Sequence, residues 1–209
     1  MNGFNNNLLL NKTILVAGAG KGIGLACALM AAECGANVIA VARTQSDLDA
    51  LIAQHPKNVT GWTMDVSSEE FFDRMNALPC LHGLVNNAGI NRVGPMDKQT
   101  NDNIDAVIDL NIRTLYKISR AAIAPMRRAG NASIVNMSSQ MGFVGSPNRT
   151  LYCMSKHAVE GVTKAMAVEL DADNIRVNTV APTFVMTPMT APMFEDEKFK
   201  TFVFDMIPL

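Results

Sequence analysis

The 209-residue sequence predicts an α/β fold in which helices cover both faces of a parallel sheet. Two observations support this prediction. Short apolar, β-branched runs alternate with longer helical stretches, an order that is typical of parallel sheets. The first such run also leads into a glycine-rich turn and a helix, which is how a doubly wound sheet begins. We therefore expect a three-layer, doubly wound fold of the Rossmann type, with six strands in one domain that spans 1–209.

The predicted elements follow one another along the whole chain. The strands are expected at Thr13–Ala17, Asn37–Ala42, Val59–Met64, Leu81–Val85, Ser133–Asn136 and Ile175–Val180. Helices are expected at Leu25–Cys34, Glu69–Ala77, Ile104–Arg128 and Leu151–Leu170. Gly35 ends the first helix, because glycine readily adopts the left-handed conformation that closes a helix. Asn5–Asn7 is expected to be a frayed terminus, and 190–206 a mobile helical segment over the pocket.

The turn after the first strand is the first candidate binding element. It reads Gly18-Ala19-Gly20-Lys21-Gly22-Ile23-Gly24, with the spacing G-x-x-x-G-x-G. Such a turn lets the backbone approach a diphosphate and directs the next helix N-terminus at it. Glycines also end strands for purely structural reasons. The position between a strand and a helix favours a dinucleotide site at Gly18, Lys21, Gly22, Ile23 and Gly24.

The end of the second strand indicates which dinucleotide would bind. Sites for NAD place an acidic residue there, whereas a nearby arginine accommodates the 2′-phosphate of NADP. Here the strand ends in Ala42-Arg43-Thr44, with no carboxylate at the discriminating position, and Lys21 adds a second cation. The alternative is that Arg43 and Lys21 are ordinary solvated cations. We predict NADP(H) as the cofactor, with Arg43 and Thr44 among its contacts.

Three polar side chains later in the chain have a spacing suited to proton transfer. Ser139 is followed thirteen residues later by Tyr152, and Lys156 lies four residues beyond the tyrosine. Side chains four apart are neighbours on a helix. Tyr-x-x-x-Lys also arises by chance as an exposed helical pair. Together with the glycine turn, the set predicts a hydroxyl, a phenol and an ammonium around one reacting carbonyl.

Composition excludes several other classes of protein. A net charge of −1 provides no basic field for nucleic acid or an anionic membrane. Charged residues interrupt the apolar N-terminal third before it reaches membrane-spanning length, and 1–10 lacks the basic region of a secretory signal. The four cysteines form no C-x-x-C motif, so we expect free thiols, no metal site and a cytoplasmic location.

From Lys12 to Leu209 the chain resembles the short-chain dehydrogenase/reductase family. The resemblance rests on the glycine turn and on motifs that follow the later strands: Asp65-Val66, Asn86-Asn87-Ala88-Gly89, Asn111, Ser139, Tyr152, Lys156, Pro182 and Thr187. Within the family, the stretches Ala40–Gln45 and Ser138–Gln140, with Tyr152-Cys153, are most similar to the NADP-dependent L-xylulose and dicarbonyl reductase branch. The resemblance implies hydride transfer between a nicotinamide and a carbonyl or secondary alcohol.

The resemblance also implies roles for the catalytic residues. Tyr152 would give or take the proton of the reacting oxygen, Ser139 would hydrogen-bond that oxygen, and Lys156 would hold the nicotinamide ribose. Lowering a tyrosine pKa from about 10 to about 7 requires roughly 4 kcal/mol. One positive charge at about 4 Å, in an effective dielectric of about 20, supplies approximately that. We therefore expect Lys156, helped by the oxidised nicotinamide, to lower the pKa of Tyr152.

Asn111 is a further catalytic candidate. Apolar residues three and four apart predict a buried helical stripe, and Asn111 falls on it. A polar side chain there needs hydrogen-bond partners. By itself this pattern also fits a buried asparagine whose side chain is hydrogen-bonded within the core and which only kinks the helix. In the family the residue helps to hold a water that passes protons to the lysine, and we expect that relay here.

The remaining cofactor contacts are implied by the resemblance alone. Asp65 and Val66 would contact the adenine, and Asn87, Ala88 and Gly89 would lie beside the adenosine ribose. Pro182, Val185 and Thr187 would form the nicotinamide end, with the last two contacting the carboxamide. Each of these residues also fits ordinary turn chemistry.

The substrate is predicted from the residues around the catalytic serine and tyrosine. Ser139, Gln140, Asn148 and Arg149 would lie near the reacting carbon, and polar donors there suit a sugar, polyol or dicarbonyl. Arg149 would orient a second oxygen. The alternative is a solvent-facing loop.

The sequence departs from the family most at its end, because family members continue past Leu209 with a helix and a seventh strand that supply part of the oligomer interface. The resemblance implies a homo-oligomer, either a dimer or a tetramer. Two other functions stay open: a 3-oxoacyl-[acyl-carrier-protein] reductase, for which Arg127-Arg128 is the candidate basic patch, and a non-catalytic NADP(H)-binding sensor.

Overall fold

The computed structural model describes residues 5–207, which form one parallel sheet with helices on both faces. The strands are β1 (Thr13–Ala17), β2 (Asn37–Ala42), β3 (Val59–Thr63), β4 (Gly83–Asn86), β5 (Ala132–Met137) and β6 (Ile175–Val180). The helices are α1 (Gly22–Glu33), α2 (Gln45–Gln54), α3 (Glu69–Asn76), α4 (Asn101–Ile108), α5 (Leu115–Ala129), α6 (Thr150–Glu169) and α7 (Glu197–Met206).

All neighbouring strands of the sheet are parallel, in the order β3-β2-β1-β4-β5-β6. Leu15 on β1 aligns with Ile39 on β2 and with Leu84 on β4. The order reverses direction between β1 and β4. In doubly wound sheets a ligand crevice opens at such a switch point, outside the carboxyl ends of the strands. The predicted doubly wound fold is confirmed, and its topology places the crevice beside the glycine turn.

Two apolar clusters form the core, one on each face of the sheet. Leu15 and Ala17 pack with Phe71, Ile118 and Ile134 in one cluster, whereas Val16, between them in sequence, belongs to the other. Successive strand residues point to opposite faces, so this division shows that the sheet is the middle of three layers.

Two features differ from the prediction. Helix α2 was not predicted, although Leu48 and Leu51 bury its inner face. The helix expected at Ile104–Arg128 is divided by a π-helical segment at Asp109–Thr114. Residues 191–206 are helical as expected, in a 3₁₀ turn (Ala191–Glu195) followed by α7. None of the helices within 5–207 combines the length and apolar composition that crossing a membrane requires.

The N-terminal segment is more ordered than a frayed end. Asn5–Asn7 is exposed, but the amide of Leu9 donates a hydrogen bond to the carbonyl of Cys34 at 2.8 Å. This contact attaches the segment to the end of α1. The four cysteines, all within the described residues, are free thiols.

Candidate active site

A polar cavity of about 570 Å³ opens at the carboxyl ends of the strands. It brings together most of the residues that the sequence predicted, namely Gly18, Lys21, Gly22, Ile23, Arg43, Thr44, Asp65, Val66, Asn87, Ala88, Gly89, Ser139, Tyr152, Lys156, Pro182, Val185 and Thr187. A second cavity, of about 610 Å³, is lined almost entirely by apolar side chains between the N-terminal segment and α1. Because binding and catalysis need convergent polar groups, we assign the chemistry to the polar cavity.

The glycine turn forms one wall of this cavity. A Cβ atom at Gly24 would lie 2.1 Å from the carbonyl oxygen of Gly18, so only glycine fits there. The side-chain amide of Asn87 donates a hydrogen bond to the same oxygen at 2.8 Å and braces the turn. Gly24 itself is buried behind the wall, and its contribution is to the shape of the turn. The turn is thus a backbone cradle of the kind that holds a diphosphate, and it fits a dinucleotide.

The end of the cavity beside β2 carries charges of both signs. Arg43 and Thr44 are exposed and line it, and Lys21 Nζ lies 3.6 Å from an Asp47 carboxylate oxygen. Asp47, on the first turn of α2, was not predicted as a site residue because α2 itself was missed. Two cations and one carboxylate therefore lie together at this end of the cavity.

Asp65 occupies the next position along the cavity wall. Hydrogen bonds from the Ser67 side chain and backbone amide, with a smaller contribution from the charge of Arg43, lower the pKa of the Asp65 carboxyl. The two bonds to the carboxylate are 2.6 and 2.8 Å long. The carboxylate is therefore ionised and held in a fixed turn.

Lys156 is the most deeply buried charged group of the cavity. Its Nζ donates a hydrogen bond of 2.6 Å to the carbonyl of Met137, at the end of β5, and lies 5.4 Å from the centroid of the Tyr152 ring. Burial lowers the pKa of Lys156 to about 8, although the nearby carboxylate of Glu160 raises it. The lysine is 6% exposed, so few other groups can solvate its charge.

Tyr152 lies one turn before Lys156 on α6. Burial raises the pKa of the Tyr152 phenol, and the Ser139 side chain and the Arg149 guanidinium offset part of that rise. Lys156 does not contribute to this pKa shift, because its ammonium is directed to Met137. A pKa near 7 in the presence of the oxidised nicotinamide stays a prediction. The phenol is protonated at neutral pH and can donate a proton.

Ser139 lies at the end of β5, where it begins a 3₁₀ turn at Gln140–Gly142. Its Oγ accepts a hydrogen bond from the amide of Met141 at 3.2 Å. A hydroxyl has one donor and two acceptor positions, so Ser139 can cap the turn and still donate to a substrate oxygen. The neighbouring Ser138 is buried, and its hydroxyl has no hydrogen-bond partner within the described residues.

Asn111 lies in the π-helical segment and is 2% exposed. Its side-chain oxygen accepts a hydrogen bond from the amide of Ile90, and its NH₂ group donates to the carbonyl of Ile90 and to Ser155 Oγ at 2.8 and 3.1 Å. Both hydrogens of the NH₂ group are thus engaged, and the two bonds to Ile90 fix the loop after β4. The proton relay stays a prediction.

Of the four predicted substrate residues, Ser139 lines the cavity, whereas Gln140, Asn148 and Arg149 lie outside its wall. Gln140 is half-buried, and its backbone N–H donates a hydrogen bond to the carbonyl of Pro182. Asn148 is an exposed turn residue with a positive φ of 61°, as in the solvent-facing alternative. Arg149 differs, because it is 8% exposed and its guanidinium contacts the sulfur of Met193 at 3.6 Å. Burial lowers the pKa of the Arg149 guanidinium, while Tyr152 and Cys153 raise it.

Several cavity residues were not predicted as site residues, and most follow a strand. They are Gly20, Val41, Ala42, Asp47, Met64, Ile90, Leu110, Met137, Ser138, Thr183, Pro188, Met189 and Thr190. Met64 and Ser138 come directly after β3 and β5, so the rule that ligands lie at the carboxyl ends of strands could have found them. In 5–207 the His, Cys, Asp and Glu side chains form no group of three that could hold a metal ion.

Comparison with known proteins identifies one family. The short chain dehydrogenase family pattern matches residues 12–198. The chain is 36% identical to the 3-oxoacyl-[acyl-carrier-protein] reductase of Thermotoga maritima over 209 residues, covering 96% of this chain and 84% of that protein. It is 37% identical to the L-xylulose reductase of Bos taurus over 203 residues, covering 96% and 83% of the two chains.

Solved structures show the same fold. A candidate NAD(P)-dependent gluconate 5-dehydrogenase from Beutenbergia cavernae, with NADP bound at low occupancy, matches with a TM-score of 0.90 at 31% identity and covers 98% of this chain and 84% of that one. A candidate short-chain alcohol dehydrogenase from Sinorhizobium meliloti 1021 matches with a TM-score of 0.87 at 33% identity, covering 97% and 84%.

Proposed function

The chain belongs to the short-chain dehydrogenase family of oxidoreductases, and we propose that it interconverts a carbonyl and a secondary alcohol with NADP(H) as the cofactor. The observation that carries the proposal is the meeting of Ser139, Tyr152 and Lys156 with the glycine turn in one cavity. A protonated phenol, a hydroxyl and a buried ammonium beside a dinucleotide cradle are the groups that carbonyl reduction needs.

We propose that the glycine turn holds the cofactor diphosphate, and that Arg43, Thr44 and Lys21 select NADP through its 2′-phosphate. Bound NADPH would supply the hydride. Arg43 and Thr44 follow β2 directly and line the cavity. No acidic residue therefore occupies the discriminating position at the end of this strand, which supports NADP over NAD. Asp47 acts against this preference, since it already neutralises part of the charge of Lys21.

Tyr152 is the proposed proton donor to the carbonyl oxygen. Because burial raises its pKa, the phenol enters the reaction protonated. Ser139 would donate its free hydroxyl hydrogen to the same oxygen. Lys156 would hold the nicotinamide ribose and stabilise the phenolate that remains after the proton has left, since an ammonium in a buried site interacts strongly with a nearby anion.

We propose two roles for Asn111. Its side chain positions the loop after β4, as the bonds to Ile90 indicate. The π-helical segment around it also changes the hydrogen-bond register of the helix, and π turns of this kind are frequent at functional sites. The backbone there is our candidate for the proton relay that restores Lys156 and Tyr152.

A sugar, polyol or dicarbonyl is the proposed substrate class. Arg149 supports this class, because its buried guanidinium interacts electrostatically with the Tyr152 phenol, although it lies outside the cavity wall. The L-xylulose reductase of Bos taurus is also among the relatives of the chain. Asn148 is exposed, and its carbonyl accepts a hydrogen bond from the amide of Gly94, so it adds no support for this class.

A 3-oxoacyl-[acyl-carrier-protein] reductase is the second candidate, favoured by 36% identity to the Thermotoga maritima enzyme. The basic pair predicted to dock the acidic carrier is poorly placed for it. Arg127 pairs with Asp173 at 2.7 Å, and Arg128 donates to the carbonyls of Leu78 and Pro79. Both residues lie at the end of α5, beside the amino end of β5 and opposite the cavity.

The test is NADPH oxidation, followed by absorbance, with a panel of sugars, dicarbonyls and 3-oxoacyl thioesters. We expect turnover of hydroxylated or dicarbonyl compounds. Turnover of thioesters alone would favour the second candidate, and NADPH binding without turnover of any compound would favour the non-catalytic sensor. The cytoplasmic location and the homo-oligomer remain predictions.

A further inference from the structure

Glu160 is a buried acidic residue one helical turn beyond Lys156 on α6. It is 6% exposed, and a carboxylate at such a position is unfavourable unless it is paired or hydrogen-bonded. One of its oxygens accepts a hydrogen bond from Thr179 Oγ1 on β6 at 3.2 Å. The other oxygen has no hydrogen-bond partner within 5–207. This incomplete satisfaction calls for an explanation, because buried polar groups are rarely left unpaired.

The surroundings of Glu160 are built around the catalytic lysine. A Cβ atom at Gly142 would lie 2.9 Å from Ser138 Oγ, 3.0 Å from Glu160 Cγ and 3.1 Å from the backbone oxygen of Lys156. These three residues therefore enclose Gly142 on the side of the turn away from solvent. Glycine at this position therefore leaves room for the Glu160 side chain beside the Lys156 backbone.

The other charges near α6 are solvated or engaged. The elements packed against this helix carry Asp102 and Asp105 on α4, Asp109 and Arg113 on the π-helical segment, Asp171 and Asp173 after α6, and Arg176 on β6. Asp109 pairs with Arg113, Asp173 pairs with Arg127, and the remaining four side chains are exposed. Arg149, at the start of α6, is directed to Met193. Among the described residues, Glu160 is thus the carboxylate that shares the buried environment of Lys156.

We propose that Glu160 is a positioning residue whose buried negative charge keeps Lys156 protonated at neutral pH, with Thr179 holding the carboxylate in place. The proposal rests on the proposed function of Lys156 beside Tyr152. The two charges act through space, because Lys156 Nζ donates to the carbonyl of Met137 and Glu160 accepts from Thr179. This separation leaves the ammonium available to cofactor and phenol, whereas a direct ion pair would compete with both.

Electrostatics agrees with the geometry. Burial lowers the pKa of Lys156, and the charge of Glu160 opposes that effect. Without Glu160, a larger fraction of the lysine would be neutral at physiological pH. A neutral amine would stabilise a phenolate poorly.

The test is a pH titration of the Lys156 side chain by NMR in the cofactor-free protein, with ¹³C-labelled lysine and assignment through Lys156→Met. Glu160→Gln should lower the titration midpoint by about one pH unit, a tenfold loss of proton affinity. Glu160→Asp, which keeps the charge, should titrate close to the parent. Glu169→Gln, at an exposed position of the same helix, is the control and should not move the midpoint.

An unchanged midpoint in folded Glu160→Gln would overturn the proposal. If this variant does not fold, Glu160→Leu replaces it, since apolar residues of similar volume often substitute for buried charges without loss of stability. In the pH profile of reductase activity, the pH at which activity falls on the alkaline side should decrease by the same amount as the NMR midpoint. Because the titration uses neither cofactor nor substrate, it decides the role of Glu160 separately from the proposed reaction.

Discussion

The ammonium of Lys156 donates a hydrogen bond of 2.6 Å to the carbonyl of Met137, which fixes the lysine at the end of β5. This bond joins α6 to the sheet edge at the point where the cavity opens. It also holds the ammonium 5.4 Å from the centroid of the Tyr152 ring, while the hydrogen bond of the ammonium goes to Met137. The protonation states of Tyr152 and Lys156 can therefore be predicted for the cofactor-free protein.

We expect the Tyr152 phenol to titrate above pH 10 in the cofactor-free protein, because burial raises its pKa from the ordinary value of 10.0. The chain has two tyrosines, so Tyr116→Phe leaves Tyr152 as the single phenol. Phenolate absorbance measured against pH reports its titration. Addition of NADP⁺ should lower the midpoint by bringing a cation beside the phenol. A midpoint near 7 without cofactor would contradict the structure.

Lys156 should make the stability of the protein depend on pH. Its pKa is about 8 in the folded protein and 10.5 as the reference value, so the unfolded chain binds its proton more tightly. The ammonium thus destabilises the fold below pH 8, and this effect disappears as the pH rises from about 8 to about 10.5. Relative to Lys156→Met, the parent should gain about 3 kcal/mol of unfolding free energy across that range.

Urea denaturation at both ends of the range, followed by fluorescence of the single tryptophan, Trp62, measures this difference. A constant difference between parent and variant would show that the lysine titrates alike in the folded and unfolded states.

Replacement of Arg43 should change cofactor choice. Arg43→Asp turns an expected charge-assisted contact with the 2′-phosphate into a repulsion. NADPH affinity should fall by about ten- to a hundredfold, the range expected for hydrogen bonds to charged groups, while NADH affinity stays nearly constant. Equilibrium titration with each nucleotide measures both, and Arg176→Asp, exposed on β6, is the control. Tighter binding of NADH than of NADPH by the parent would remove the basis for this assignment.

Removal of the Asp47 charge should have the opposite effect. The carboxylate lies 3.6 Å from Lys21 Nζ, so Asp47→Asn frees the ammonium and removes a negative charge from the phosphate position. Because the Lys21 side chain is largely exposed, we expect NADPH to bind only about two- to fivefold more tightly. Asp49→Asn, on the exposed side of α2, is the matched control. Weaker NADPH binding in Asp47→Asn would mean that the aspartate helps to orient Lys21 for the cofactor.

Local patterns predicted the fold and the main cavity residues. The glycine turn and the four-residue spacing of Tyr152 and Lys156 could be predicted because each depends on a single helix and its start. The contact between Lys21 and Asp47 depends on how α2 packs, and the bond from Lys156 to Met137 depends on how α6 meets β5. Neither follows from sequence spacing.

The π-helical interruption of the helix at Asp109–Thr114 could not be predicted for a different reason. Apolar residues keep a spacing of three and four from Ile104 through Asn111 to Leu115, so the pattern predicts a continuous helix. A π turn changes the hydrogen-bond register of the backbone while the side chains still bury one face. The burial of Arg149 was likewise not predictable, because it arises from contact with Met193, 44 residues later in the chain.

The most direct test of the account compares the parent with Tyr152→Phe, using NADPH oxidation and NADPH binding on the same preparations. The substitution removes only the phenol hydroxyl, so the glycine turn and Lys156 should still bind NADPH within about threefold of the parent, well under 1.4 kcal/mol. Turnover of the best carbonyl substrate should fall by at least about a hundredfold, the lower range for loss of a general acid. Turnover within tenfold of the parent, with NADPH binding intact, would contradict the assignment of Tyr152 as the proton donor.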